Sequence, residues 1–363
     1  MKVVLLNLCF KEYATELANS LVNYVDLTVI QQENKDQDAR EVLDPRISVM
    51  TFNKPKMRDP RNMQAMGEMM GFIRQVNPDI LHVQEVNDIW YLLTILFQKM
   101  PPLVTTIHDI CSHPGDATKV FGSDYTRPIA FYRSQKIIVH TEQIKTALNQ
   151  KYSIPNDKVH VFPHGEIATW YKRHPHQDIP EKEPFTLLFF GRIWPYKGLK
   201  YLLEAMPLVA EKIPQVKLII AGRGENIEQY FPNGYDQKRY EILNQFISNE
   251  DVIKLFARST ITVLPYIEAS QSGVAALSYG MGTPVIASDI GGLSEIVKHQ
   301  QDGLLVPPRD VKSLAAAIIN LLQNQELYQK MQVATLIRCQ QDLNWSNIAE
   351  KTVGVYHQLV QNK

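Results

Sequence analysis

Two doubly wound α/β domains in one chain are what the sequence predicts, and three observations predict them. Short, continuously apolar runs rich in Val, Ile and Leu alternate with longer amphipathic stretches, as parallel strands covered on both faces and their crossover helices should. The alternation stops at a polar segment near residues 171–185, which carries three prolines, and then restarts. A chain of 363 residues, 45% of them hydrophobic, also exceeds what one core usually organises.

In the first half the expected strands are "KVVLL" at 2–6, "DLTVI" at 26–30, "ISVM" at 47–50, "DILHV" at 79–83, "LVTTIH" at 103–108, "KIIVH" at 136–140 and "VHVFPHG" at 159–165. Between them "EYATELANSLVNY" and "AMGEMMGFIRQV" carry helical spacing. "YKRHPHQDIPEKEPF" has no apolar period and reads as a linker. After it come "FTLLFFG", a helix from about Gly198, "VKLIIAG", "YEILNQFI", "TITVLP", a helix near 272–281, "PVIAS" and "GLLVPP". The expected division is 1–172, a linker at 173–184, 185–345, and a final helix, 346–363, that either caps the second domain or crosses back to the first.

Thirty-eight basic residues balance 38 acidic ones, which argues against a nucleic-acid binder held by its global field. Cys9, Cys111 and Cys339 match no metal or disulfide spacing, so reduced thiols and a cytoplasmic location are expected. No leader is expected ahead of the first apolar run and no run is long enough to span a membrane, so at most a peripheral contact with the inner membrane face is expected. Met63, Met66, Met69 and Met70 follow Lys54, Lys56, Arg58 and Arg61; core or groove lining is the plainer reading, and contact with anionic lipid stays open beside it.

"PYIEASQSGVAALSYGMGTPVIASDIGGLSEI", at 265–296, keeps its side chains small for an unusual length. A helix starting near Ser270 to Gly273, at the carboxyl edge of a parallel sheet, would offer unpaired N–H groups and a positive dipole end. That is an anion site. "LLFFGRIWPYKGLKYLLEAM" supplies a second anion-binding feature, with Arg192 directly after a strand and Lys197 just before the next helix.

These stretches resemble a known family. "FFGRIWPYKGLKYLLEAMPLV", "LIIAGRGE" and "LPYIEASQSGVAALSYGMGTPVIASDIGGLSEIVKHQQDGLLVPPRD" look like the nucleotide-sugar half of the family-4 retaining glycosyltransferases, in order and in spacing. "PDILHVQE", "TIHDICSHPGD" and "VHVFPHGE" resemble the other half more loosely. The resemblance implies the α/β GT-B fold, two facing Rossmann-like domains with a cleft between them. It also implies transfer of a sugar from a nucleotide-diphosphate sugar, UDP- or GDP-linked, to a glycan, lipid-linked or small-molecule acceptor, with no cofactor and no metal.

Residue by residue, the resemblance places the donor diphosphate on Arg192 and Lys197, with the backbone around Ser272, Gly273 and Val274. His108 would face the donor sugar near the reacting carbon, and Glu268 would contact its hydroxyls. Asp109, His164, Gly165, Arg223, Ser270 and Gln271 are expected as further donor or cleft contacts.

The chain departs from the family pattern in two places. The usual acidic pair falls at Ala269 and Leu277, with Glu268 one residue early, so no ribose-binding carboxylate is assigned. The glycine pair after the first strand is replaced by "NLCFKEYAT". Among other candidates, "DQD" at 36–38 sits in a polar run and reads as surface, and "GRGE" lacks the third glycine of a dinucleotide fingerprint. His113 and His140 are single histidines, of which His140 reads as structural, while His164 lies in a Pro-His-Gly loop. A nucleotide-sugar epimerase and a silent sugar-nucleotide binder are the alternative readings.

Overall fold

The computed structural model describes residues 1–33, 42–85, 88–110, 123–173, 179–231 and 234–361. "DQD" at 36–38, Cys111, His113 and the middle of the expected linker, 174–178, lie outside the described residues. The described residues fall into two compact units, one built from 1–110, 123–163 and 345–361, the other from 164–344.

In the first unit the strands are β1 Lys2–Asn7, β2 Asp26–Gln32, β3 Ser48–Phe52, β4 Ile80–Gln84, β5 Leu103–Ile107, β6 Lys136–Val139 and β7 Val159–Val161. All pair in parallel, in the order β3-β2-β1-β4-β5-β6-β7. Lys2 to Asn7 run beside Asp26 to Gln31, and Val3 to Leu6 beside Ile80 to Val83, so the winding reverses between β1 and β4. Val3, Val4, Leu5 and Leu6 are all fully buried, which is why these strands read as unbroken apolar runs. The helices are α1 Lys11–Leu21, α2 Asn62–Val76, α3 Ile89–Phe97, α4 Ser123–Arg133 and α5 Glu142–Tyr152. Asp88 caps α3 by accepting from the N–H groups of Trp90 and Tyr91 (3.0 and 3.1 Å), and Thr141 caps α5.

The second unit repeats the plan with six parallel strands: β8 Thr186–Phe190, β9 Lys217–Ala221, β10 Tyr240–Leu243, β11 Ile261–Leu264, β12 Val285–Ser288 and β13 Gly303–Val306. Their order is β10-β9-β8-β11-β12-β13, so the reversal falls between β8 and β11. Its helices are α6 Ala168–Lys172, α7 Leu199–Lys212, α8 Asn249–Arg258, α9 Gly273–Gly280, α10 Gly292–Ile296, α11 Val311–Gln323 and α12 Gln325–Gln340. "YEILNQFI" delivers a strand only over Tyr240–Leu243. Asn244 turns away from the sheet, donating its side-chain amide to Glu225 O and accepting from Gly224 N–H.

The chain passes from one unit to the other between Pro163 and His164, ahead of the proline-bearing segment. The reason is packing: Ala168 of α6 sits in a core cluster with Leu188, Phe256 and Leu277. The tail of the expected linker is also docked on the second unit, where Glu183 pairs with Arg258 (2.6 Å) and Lys182 donates to Ser259 O (2.7 Å). The last helix, α13 Trp345–Val360, belongs to the first unit and packs on α1. Trp345 meets Tyr13 edge-on at 4.9 Å between centroids, and the Tyr356 hydroxyl lies 2.6 Å from Nδ1 of the buried His82. Burial drives His82 down to a pKa of about 3.

Candidate functional site

The carboxyl edge of the second sheet, at its reversal point, gathers most of the expected donor-side residues. β8 ends at Phe190, and Gly191 turns the chain with φ at 112° while its N–H donates to Ala221 O (2.9 Å). The loop after β8 then runs beside the loop after β9: Ile193 N–H donates to Arg223 O and Glu225 N–H to Ile193 O, both at 3.0 Å. The two glycines of "GRGE" make that contact possible. A Cβ on Gly222 would lie 1.9 Å from Gly191 O, and one on Gly224 2.1 Å from Ile193 O. They serve backbone packing, and Arg192 and Arg223 project from these paired loops into solvent.

After Arg192 one 3₁₀ turn, Pro195–Lys197, leads to Gly198. Gly198 has φ at 68°, and a Cβ there would stand 1.8 Å from Pro265 O, so α7 starts only at Leu199. Ile267 N–H donates to Tyr196 O (2.8 Å), which ties the loop after β8 to the loop after β11. Lys197 is thereby set over the ring of Tyr266, its Nζ 3.8 Å from the centroid. The buried Tyr266 phenol is pushed above its usual range by burial, opposed by the Arg192 guanidinium. Lys197 and Arg192 thus both place positive charge near this ring, whose buried hydroxyl has no hydrogen-bond partner among the described residues.

α9 begins directly opposite. Ser272 is its N-cap and accepts from Ala275 N–H at 3.3 Å, so the first-turn amides after it point out of the helix. A Cβ on Gly191 would lie 3.6 Å from Val274 Cγ2, which places the end of β8 against the start of α9. His164 is buried next to the same turn, with ring atoms 3.7 Å from where a Gly273 Cβ would be. Its Nδ1 lies 2.8 Å from Gly165 O, and burial, partly offset by that bond, holds its pKa down at about 4. The imidazole is neutral at physiological pH, as suits a position beside a positive helix end.

Glu268, exposed, precedes a segment folded under α10: Ala269 O accepts from Gly292 N–H (3.1 Å). Gln271 Oε1 and Trp194 Nε1 are buried atoms of this edge with no hydrogen-bond partner among the described residues. The far end of α9 is fixed by Tyr279, whose hydroxyl donates to Asp302 (2.6 Å), and Asp302 also accepts from Arg338 (2.6 Å). Lys172 Nζ caps the same end through Gly280 O (2.8 Å).

The long run of small residues has several causes. A Cβ on Gly280 would meet Glu166 Oε2 at 2.5 Å and Ala168 Cβ at 2.6 Å; one on Gly292 would meet Ser270 O at 2.2 Å; Gly282 and Gly291 have positive φ. Those four accommodate the chain itself. Gly273 alone of the five has ordinary φ and no atom closer than 3.7 Å to its missing Cβ.

The first sheet's reversal point is built differently. His108, at the end of β5, is fully buried, stacked under Phe10 (centroids 3.8 Å apart, planes at 21°) and met edge-on by Tyr13 at 4.9 Å. His108 Nε2 lies 3.2 Å from Gln84 Oε1, and the ring of His140 is 4.8 Å away. Phe10, with φ at 58°, takes a left-handed turn and covers the histidine.

Sequence reasoning missed Glu85. Its Oε2 accepts from both His108 and Asp109 N–H (2.8 and 2.9 Å), and its Oε1 lies 3.4 Å from Arg127 Nε, while Arg127 Nη1 donates to Asp109 O (3.3 Å). Burial raises Glu85 to a pKa of about 7, with Arg127 pulling down and Asp109 pushing up. The signal available was the last letter of "PDILHVQE", a carboxylate at a strand end with nothing local to pair with.

Among the described residues no three His, Cys, Asp or Glu side chains are grouped to hold a metal ion, and no helix is long and apolar enough to cross a membrane. Cys9 and Cys339 are free; Cys9 is exposed, whereas Cys339 is half-buried and burial raises its pKa to about 12.

Two parallel sheets with reversed winding, and a cationic, helix-capped edge on the second, define a two-domain Rossmann-like protein of the GT-B class. A family profile described as "Glycosyl transferases group 1" matches residues 184–324 and one described as "Glycosyl transferase 4-like" matches residues 2–141, together more than half of the chain. The chain belongs to the family-4 glycosyltransferases and is a glycosyltransferase. It is 27% identical over 277 residues to an uncharacterized glycosyltransferase of Methanocaldococcus jannaschii, covering 70% of this chain and 69% of that one. Among solved structures it is similar to sucrose-phosphate synthase from Thermosynechococcus elongatus (TM-score 0.74, 20% identity, all of both chains). It is also similar to Anabaena HepE in complex with UDP-glucose (TM-score 0.70, 17% identity, 98% of this chain and 100% of that one).

Proposed function

We propose that the protein transfers a sugar from a nucleotide-diphosphate sugar to an acceptor, with retention of anomeric configuration and without a metal. The observation that carries this reading is the convergence of Arg192, Lys197 and the first turn of α9 on one sheet edge, with Gly273 left uncrowded. A diphosphate needs cations and N–H donors that lie close together and can be approached by its oxygens.

In this reading Arg192 grips the diphosphate with its guanidinium fork, Lys197 supplies a point charge, and the amides at Ser272, Gly273 and Val274 complete the cradle. Glu268 takes the sugar hydroxyls. Arg223, Ser270, Gln271, His164, Gly165 and Asp109 are the further donor contacts, and the unpartnered Gln271 Oε1 is consistent with a ligand of this kind. As the glycosidic bond breaks, positive charge grows on the sugar ring and negative charge on the leaving diphosphate, so the cradle stabilises the transition state more than the bound donor. His108 serves the sugar near the reacting carbon, which requires Phe10 to leave its face.

A UDP-sugar is the first donor to test, because HepE was solved with UDP-glucose. The protein is incubated with UDP-glucose, other UDP-sugars and GDP-sugars, and a panel of acceptors, in the presence of a chelator; released nucleotide is measured and the product anomer read by NMR. Release of UDP or GDP that depends on acceptor, with the donor's anomeric configuration in the product, is the expected result. Conversion of the donor sugar without acceptor would point to an epimerase, and binding without release to a silent binder. Inversion, or a rate lost in chelator and restored by manganese, would overturn the proposed mechanism.

A further inference from the structure

Outside the sheet edges the first unit carries a groove of about 320 Å³ between α2 and α3. Met63, Met66, Met70, Trp90, Leu93 and Phe97 line it. The helical methionines divide: Met66, Met69 and Met70 are buried against the core, whereas Met63 is 73% exposed and Phe97, at the end of α3, is 76% exposed. Burying Met69, Ile73, Leu92 and Ile95 satisfies the inward faces of the two helices, so the outward apolar side chains are surplus to folding.

Charge around the groove is mostly cationic, and the exposed Glu68 of α2 is not among its lining residues. Trp90 Nε1 donates to Met57 O (2.7 Å), which pins the segment bearing Lys56 and Arg58 at one end. Arg74 reaches Gln98 (3.3 Å) at the other end, followed by Lys99. Lys54 and Arg61 are engaged by Asp88 (2.5 Å) and Asp59 (2.6 Å). Lys56, Arg58, Arg74 and Lys99 have no carboxylate partner among the described residues and are exposed. No acidic residue lines the groove, in a chain whose formal net charge is zero.

We propose that this face docks on a bilayer surface carrying anionic phospholipid headgroups, with Phe97, Met63 and Leu93 entering the acyl region and the four cations at the depth of the phosphates. Apolar side chains flanked at both ends by cations, with no carboxylate lining the groove, complement a uniformly anionic, apolar-cored surface better than a protein partner of mixed charge. Methionine fits this use because its unbranched, polarizable side chain adapts to a fluid contact.

The test uses the full chain and vesicles of phosphatidylcholine with or without phosphatidylglycerol. Sedimentation with vesicles measures binding, and quenching by acyl-brominated lipid reports on Trp90, with Trp90→Phe identifying its share of the signal. Binding to the anionic vesicles that is roughly tenfold or more tighter than to the zwitterionic ones, loss in high salt, and quenching of Trp90 are expected. Phe97→Asp and Arg58→Glu, both at exposed positions, should melt like the parent yet lose most of the binding. Absence of binding to anionic vesicles, binding without Trp90 quenching, or equal binding by Phe97→Asp would overturn the proposal. So would light scattering showing a dimer that Phe97→Asp dissolves, since the face would then belong to a second copy of the chain.

Discussion

The two sheets reverse their winding in the same way but furnish their reversal points in opposite ways. At the first, the β1–α1 turn puts an aromatic ring on a buried histidine, and a buried Glu85–Arg127 pair holds the backbone of the loop beneath it. At the second, the strand-end loops are held by backbone pairing through Gly222, Gly224 and Gly198, which leaves the Arg192 side chain exposed and Lys197 over the Tyr266 ring at the same sheet edge as the start of α9. One topology thus gives a packed, nearly neutral edge in one case and an open cationic edge in the other. The fold supplies the position, and the residues in the loops decide what it can hold.

If that contrast is functional, the largest effect should come from the open edge. Arg192→Ala and Lys197→Ala should each lower kcat/KM for the donor a hundredfold or more, on the order of 3 kcal/mol, with cooperative melting preserved, because neither side chain belongs to the core. Steady-state kinetics and calorimetry check both halves of that statement.

Next come the glycines. Gly280→Val should destabilise the second unit by about 2 kcal/mol, since even a Cβ lies 2.5 Å from Glu166 and overpacking has no room to relax. Gly273→Val should leave the melting temperature nearly unchanged and weaken nucleotide binding instead. A Gly273→Val protein that melts far below the parent, with its nucleotide affinity intact, would erase the distinction between chain-packing and ligand-facing glycines.

Much of this was legible in the chain. Among the described residues the inner strands carry their apolar runs openly, because parallel strands buried on both faces must, whereas the edge strands β3 and β10 are only partly buried. The positions of Arg192 and Lys197 after β8, and of the Ser272–Gly273 helix start after β11, were legible because each lies in its own short strand-turn-helix segment. What the chain hid depends on contacts distant in sequence. His108 is covered by a residue 98 positions earlier and clamped by Glu85 and Arg127, which no local pattern joins. The unit boundary at 163–164 was hidden for the same reason: the stretch up to residue 172 reads as the end of the first domain until Ala168 is seen packed against Phe256 and Leu277. The small-residue run also overstated its case, because chain packing and ligand space leave the same mark in a sequence.

Smaller effects probe the packed edge. Glu85 has a folded pKa raised to about 7 from an ordinary 4.5, with burial the main cause, so its contribution to stability is complete below about 4.5 and lost as pH rises through about 7. Glu85→Gln removes that titration. The melting temperature of the parent should therefore fall relative to the variant by a few degrees between those two pH values, and parallel curves would show that Glu85 is not held in the way described. Smallest of all is Phe10→Gly: relief of a left-handed non-glycine turn offsets the lost ring stack, so stability should change by less than about 1 kcal/mol. Reaction of His108 with diethyl pyrocarbonate should quicken, and an unchanged rate would mean that Phe10 is not its cover.

The contrast between the two edges is tested most directly by titrating UDP, and GDP beside it, into the parent, Arg192→Ala, Lys197→Ala and His108→Ala by calorimetry. If the second edge holds the diphosphate, one of the nucleotides binds the parent, both cation variants lose at least about tenfold in affinity, and His108→Ala binds as the parent does. Parent-like affinity in both Arg192→Ala and Lys197→Ala, or a loss confined to His108→Ala, would place the nucleotide elsewhere and contradict the account.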